Sequence, residues 1–143
     1  MTPPIGAQFK ETLIRVRFAE TDLMGIAHHS SYVLYLEEGR VNFTRQIDAP
    51  YSELEAEGYS LAVSDLSIRY GSPARFDQVI IVRTWIEQAL SRMVTFGYEV
   101  VEQDSQATLV TATVRLICVD KSGQVKRIPK SWLKIMQGYA LKT

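Results

Sequence analysis

The chain has 143 residues, a length that suits one domain and allows burial of about 68% of the unfolded surface. With 46% hydrophobic and 22% charged residues, it falls among globular chains and outside the disordered class. Lys plus Arg number 16 and Asp plus Glu number 16, so the formal net charge is zero and the basic surplus behind general nucleic-acid binding is missing.

Residues 1–10 are expected to form a flexible tail, because Pro3, Pro4 and Gly6 disfavour regular structure; residues 11–143 are expected to form a single domain. The N-terminus lacks the charged-then-apolar pattern of a secretory leader, and no run approaches the ~20 apolar residues of a membrane span. A cytoplasmic location is the expectation. From Thr12 to Phe18, apolar Val16 and Phe18 alternate with Arg15 and Arg17, which predicts a short half-exposed strand.

A polar segment follows, Ala19 to His29, and Ser30 and Ser31 offer N-cap oxygens to a helix predicted over Ser31–Ile47. Tyr32, Leu36, Gly39, Phe43 and Ile47 recur at three- and four-residue steps and form one stripe, with Glu37, Glu38 and Arg45 off it. Such a helix is about 25 Å long. Gly39 costs about 1 kcal/mol inside a helix, so its place on the stripe predicts a close approach by another element.

Pro50 opens a second, short helix to about Glu57, ended by Gly58. Four long strands are then predicted: Tyr59–Tyr70, Gln78–Gln88, Arg92–Glu102 and Thr108–Val119. Val94, Phe96, Tyr98 and Val100 share one face, as do Val110, Ala112, Val114, Leu116 and Cys118. The short links Ala89–Ser91 and Asp104–Ala107 suit antiparallel hairpins. Pro129 and Ser131 introduce a terminal helix whose apolar residues are Trp132, Leu133, Ile135 and Met136. The predicted class is α+β: a long central helix wrapped by a curved antiparallel sheet of about five strands. One helix covers only part of such a sheet, and its edge strands invite a second copy of the chain. Cys118, the one cysteine, lies in an apolar run and reads as a buried small hydrophobe.

The segment Arg17-Phe18-Ala19-Glu20-Thr21-Asp22-Leu23-Met24-Gly25-Ile26-Ala27-His28-His29-Ser30-Ser31-Tyr32 resembles the signature of the hot-dog-fold acyl-CoA thioesterases, in the branch of 4-hydroxybenzoyl-CoA thioesterase. Tyr35-Leu36-Glu37-Glu38-Gly39-Arg40 continues the match, and Arg69-Tyr70-Gly71-Ser72-Pro73-Ala74-Arg75-Phe76-Asp77 matches a turn between strands; the resemblance spans about Leu13 to Trp132. It implies hydrolysis of an acyl-CoA thioester to a carboxylic acid and coenzyme A. Asp22 would be the carboxylate that attacks the thioester carbon or activates a water. The start of the long helix, with the backbone N–H of His29, would stabilise the developing oxyanion, and Gly25 would let the loop approach the acyl group.

The family positions further imply substrate contacts from His28, Tyr32, Glu37 and, across a subunit boundary, Ser67. Arg69 and Arg92 stand with Arg75, Arg127 and Lys130 as cations available to the coenzyme A phosphates. By residue chemistry alone, Asp22 is equally an ordinary turn residue, Arg40 an ion-pair partner, and Tyr32, Tyr35 and Phe43 core. His28 and His29 are adjacent in sequence and do not share a helical face as a metal pair would. The resemblance implies no metal and no organic cofactor, and coenzyme A or acyl carrier protein as the acyl carrier. It also implies a homodimer that assembles to a homotetramer. Two rivals are a hot-dog 3-hydroxyacyl-thioester dehydratase and a non-catalytic acyl-thioester binding protein.

Overall fold

The computed structural model describes residues 3–142; Met1 and Thr2 of the predicted tail and Thr143 lie outside the described residues. Its elements are β1 (Lys10–Arg15), α1 (His29–Gln46), α2 (Tyr51–Ala56), β2 (Tyr59–Tyr70), β3 (Val79–Ala89), β4 (Met93–Glu102), β5 (Thr108–Asp120) and α3 (Lys130–Tyr139). The five strands form one antiparallel sheet in the order β1-β3-β4-β5-β2. The alternation seen in the sequence places Val94, Phe96, Tyr98 and Val100 of β4 beside Val110, Ala112, Val114, Leu116 and Cys118 of β5, all buried. Burial also pushes the Cys118 thiol up from its ordinary range, away from the thiolate.

The stripe of α1 packs on this apolar face: Tyr32, Leu36, Phe43 and Ile47 are buried, and Phe43 meets Phe96 edge to face at 5.9 Å. Gly39 marks the predicted close approach. A Cβ there would fall 2.6 Å from Val82 Cγ1 and 2.9 Å from Thr84 Oγ1, so only glycine lets the helix settle at this depth. α3 closes one end, with Trp132 near Tyr51 and Tyr139 near Phe43.

Two elements differ from the sequence expectation by more than one residue, β1 and the start of α1, while α2, β3, β4 and β5 differ by at most one at either end. β1 begins at Lys10 and stops at Arg15 rather than running over Thr12–Phe18. The reason is local: Val16 pairs with Gln78 and Asp77 by backbone hydrogen bonds, and Phe18–Glu20 then wind into a 3-10 turn. The end of the predicted tail is ordered against α3, since Gln8 Nε2 donates to the Gly138 carbonyl and Lys10 Nζ lies 5.6 Å from the Tyr139 ring centre. The second difference is that α1 starts at His29, before Ser31. Neither serine caps it; His28 holds the N-cap position with no side-chain cap, and Ser31 Oγ donates to the Glu20 carbonyl at 2.9 Å. No described helix is long and apolar enough to cross a membrane.

The edges of the sheet are unequal. β1 is short, whereas β2 is twelve residues long, pairs among the described residues only with β5, and leaves Val63, Leu66 and Tyr70 exposed.

Candidate active site

Asp22 sits in a loop closed by its own backbone. Its N–H donates to the Ile26 carbonyl at 2.9 Å, Gly25 N–H donates back to the Asp22 carbonyl at 3.0 Å, and Thr21 bridges Ala27. Gly25 takes φ +75, a left-handed conformation that the tight reversal needs and that glycine adopts at little cost. The side chain joins the turn: Asp22 Oδ1 accepts the N–H of Met24 at 2.8 Å and that of Ile26 at 3.4 Å. Among the described residues, Oδ2 has no hydrogen-bond partner. The turn expected of an Asp in this context is therefore present, and it leaves one carboxylate oxygen unengaged.

The loop is held from two sides. The second sequence block lies against it, with Ala27 N–H donating to the Ala74 carbonyl, Phe76 N–H to the Gly25 carbonyl, and Ile26 bridged to Arg75. On the other side stands Glu20, 8% exposed, whose carboxylate accepts from Arg17 N–H and Nε at 2.8 Å each and from the Tyr35 hydroxyl at 2.9 Å; Arg17 Nη2 lies 2.7 Å away. Burial opposes ionisation of Glu20, but these donors outweigh it and hold the carboxyl below its ordinary range. Burial and the Glu20 carboxylate together push the Tyr35 hydroxyl far up. The Glu20 carbonyl also accepts from His28 N–H and Ser31 Oγ, tying this scaffold to the first turn of α1.

Asp22, Gly25 and His28 line one open cavity of about 490 Å³ with Phe18, Thr21, Leu23 and Phe76. Phe18 and Phe76 pack edge to face at 5.5 Å and both remain exposed. The cavity thus sets a carboxylate against an apolar wall at the start of α1. No acceptor is found among the described residues for the N–H of His29 or Ser30, which leaves the positive end of the helix dipole unengaged there.

The other predicted site residues are placed elsewhere. The His29 ring stacks on Tyr70 at 4.6 Å and lines a narrower crevice with Tyr32, on the β2 side of the helix start. Tyr32 is buried, and its hydroxyl accepts the Ala74 N–H at 2.9 Å, so it fastens the second block to α1. Glu37 is exposed and lines a separate cavity near Arg40. Ser67 and Arg69 lie on the sheet beside Thr111 and Thr113. Arg92 is in the β3–β4 turn, exposed, with its guanidinium 3.5 Å from Ser91 Oγ. None of these five, Tyr32, Glu37, Ser67, Arg69 and Arg92, lines the Asp22 cavity within one copy of the chain. Arg40, expected as an ion-pair partner, instead meets the Tyr98 hydroxyl at 3.2 Å, and no carboxylate among the described residues lies within salt-bridge distance.

Sequence reasoning passed over Phe18, Leu23, Phe76 and Glu20. In sequence, Phe18 merely continues the strand alternation of Val16. Phe76 reaches the cavity only because the second block folds back onto Gly25, a contact that no local pattern announces.

The sequence profile of the thioesterase-like superfamily matches residues 16–136. YneP of Bacillus subtilis (strain 168), provisionally named an acyl-CoA thioesterase, is 35% identical over 108 residues, covering 76% of this chain and 78% of its own. The acyl-CoA thioester hydrolase YbgC of Escherichia coli O157:H7 is 29% identical over 119 residues, or 82% of this chain and 88% of that one. Among solved structures, the hypothetical protein TT1821 of Thermus thermophilus superposes with a TM-score of 0.87 at 36% identity, covering 94% of this chain and all (100%) of that chain.

Proposed function

The chain belongs to the thioesterase-like superfamily, has its hot-dog fold and is a thioester hydrolase, and on that premise we propose that it cleaves acyl-CoA with Asp22 as the reacting carboxylate. One observation carries the assignment. Asp22 is fixed through a single oxygen in a glycine-hinged turn, with the other oxygen unengaged in an apolar cavity at the open end of α1.

The chemistry follows from that placement. The acyl group lies against Phe18 and Phe76, and the thioester carbonyl oxygen points to the N–H of His29. As the carbonyl carbon becomes tetrahedral, negative charge builds on that oxygen, and a preorganised N–H with the helix dipole stabilises it more than it stabilises the neutral ground state. The carboxylate of Asp22 either takes a proton from the attacking water or attacks first, forming an anhydride that water then opens. In both routes one water is consumed, the C–S bond breaks, and coenzyme A leaves as its thiol with a carboxylate as the second product. Arg75, exposed and bridged to Ile26, is the candidate cation nearest this loop for the coenzyme A phosphates.

The functional unit is a homodimer, with a tetramer as its further assembly. The support is β2, a long edge strand paired on one side with β5, whose exposed Val63 and Leu66 a second copy would cover. In such an assembly the partner brings its own Ser67 to surfaces that a single copy leaves open.

Thiol release measured over aromatic and straight-chain acyl-CoA panels tests the assignment, with the same acyl groups on acyl carrier protein as a second arm. Saturable hydrolysis of at least one acyl class is expected. Saturable binding with no thiol release on any acyl group, or turnover of a 3-hydroxyacyl thioester that changes conjugation while the thioester stays intact, would contradict it.

A further inference from the structure

Among the described residues, Arg40 is a buried cation without a counter-charge. It sits on α1 with 7% of its surface exposed, and its one hydrogen bond runs from Nη1 to the wholly buried Tyr98 hydroxyl at 3.2 Å. A guanidinium carries five N–H donors in a planar fork, and burying it beside a neutral phenol leaves most of them unanswered. The Tyr51 hydroxyl, at the start of α2, is buried beside the guanidinium and offers it a second neutral oxygen, outside good hydrogen-bond geometry. Burial is the main force raising the Tyr51 hydroxyl, to about 12, so it stays protonated and able to donate. The guanidinium thus faces two neutral phenol oxygens and, among the described residues, no carboxylate, while the Tyr51 O–H has no acceptor of its own.

Both line an open cavity of about 430 Å³ between α1, α2 and the start of β2, a volume within the range of small-molecule sites. Val41 and Leu61 give it a half-buried apolar lining, and Ser52 and Ser60 lie at exposed positions. Glu37, Arg45 and Glu55 also line it and are exposed, so their charges are screened by water while that of Arg40 is not. Arg40 lies about 17 Å along the helix from His29, well away from the Asp22 loop.

We infer that this cavity binds a small organic carboxylate with an apolar body, which Arg40 and Tyr51 hold by its two oxygens. A carboxylate matches the guanidinium fork, supplies the charged acceptor that Arg40 lacks, and gives the Tyr51 O–H an acceptor. A phosphate dianion fits less well, because a single buried cation would face it while Glu37 and Glu55 repel the second charge. Val41 and Leu61 suit a short alkyl or aryl body rather than a fully hydrated ion. The site stands whether or not Asp22 hydrolyses thioesters.

Benzoate and its uncharged isostere benzamide are suitable probes for the full chain labelled with ¹⁵N-arginine. Benzoate is expected to shift the Arg40 Nε–Hε resonance saturably at millimolar concentration and to bind at least about tenfold more tightly than benzamide. Tyr51→Phe should weaken benzoate severalfold, and Arg40→Gln should abolish the preference over benzamide. If Arg40→Gln does not fold, Tyr51→Phe and the benzamide comparison decide alone. Equal binding of the two probes, shifts confined to residues around Asp22, or no shift of the Arg40 resonance would overturn the inference. So would a crystal structure of the assembled protein with a carboxylate side chain of a second copy seated on Arg40.

Discussion

Glu20 and Arg40 are both buried charges, held against the same helix, and they are treated in opposite ways. Glu20, below the first turn of α1, is met by three donors of Arg17 and the Tyr35 hydroxyl, all within 2.9 Å. Arg40, in the second half of α1, has one neutral acceptor at 3.2 Å and an orphaned hydroxyl beside it. A fully satisfied buried ion makes a rigid bracket, and Glu20 serves as one, because its carbonyl also anchors His28 and Ser31 at the mouth of the Asp22 cavity. An under-satisfied one retains a capacity to bind. The two halves of the helix thus divide into a braced half that presents chemistry and an open half that can receive a ligand.

Gly39 lies between the two halves, and its replacement should damage both together. Gly39→Val forces a Cβ to within 2.6 Å of Val82 Cγ1, so a loss of about 3 kcal/mol in unfolding free energy is expected by urea denaturation. The braced half should be the next most sensitive. Tyr35→Phe strips a donor from the buried Glu20 carboxylate and should cost about 2 kcal/mol in the same assay.

The brace also has an acid signature. The folded-state pKa of Glu20 lies below its ordinary value of 4.5, so in that range the unfolded chain binds the proton more readily and stability rises with pH. The Glu20 contribution is complete above pH 4.5 and is lost as the pH falls through the lower folded value. Glu20→Gln should therefore flatten the stability–pH slope below pH 4.5. Part of the slope should remain, from Glu102, lowered by backbone N–H groups of Asp104 and Ser105, and from Asp120, lowered by Ser122 and Gln124. The smallest effect belongs to the open half. Tyr51→Phe removes a hydroxyl that makes no well-aligned hydrogen bond, and stability should stay within about 0.5 kcal/mol of the parent. A loss at Tyr51 as large as that at Tyr35 would erase the contrast between the halves.

Much of the scaffold was legible in the sequence because it depends on period. The stripe of α1, its demand for glycine at residue 39 and the paired faces of β4 and β5 all follow from spacing of 3.6 or 2. α1 starts earlier than its sequence predicts because serine is a good cap in isolation, while here Ser31 is drawn to the Glu20 carbonyl by a contact across the loop. β1 was placed too late because Phe18 continues an alternation that the turn at Phe18–Glu20 has already ended. Asp22 came from the family signature, since its side chain makes an ordinary turn. The Phe18–Phe76 wall and the Arg40–Tyr98 contact were out of reach, because sheet register and the fold-back of the second block bring distant residues together.

Asp22→Asn separates turn from chemistry most cleanly. The amide oxygen of asparagine can still accept the Met24 N–H, so the loop should persist, while the capacity to take a proton or attack a carbonyl is gone. The decisive measurement is kcat for thiol release by this variant on the best acyl-CoA substrate, with folding verified by an unchanged urea midpoint. A fall of about a thousandfold is predicted. A folded variant that retains kcat within a few fold of the parent would make Asp22 a turn residue and nothing more.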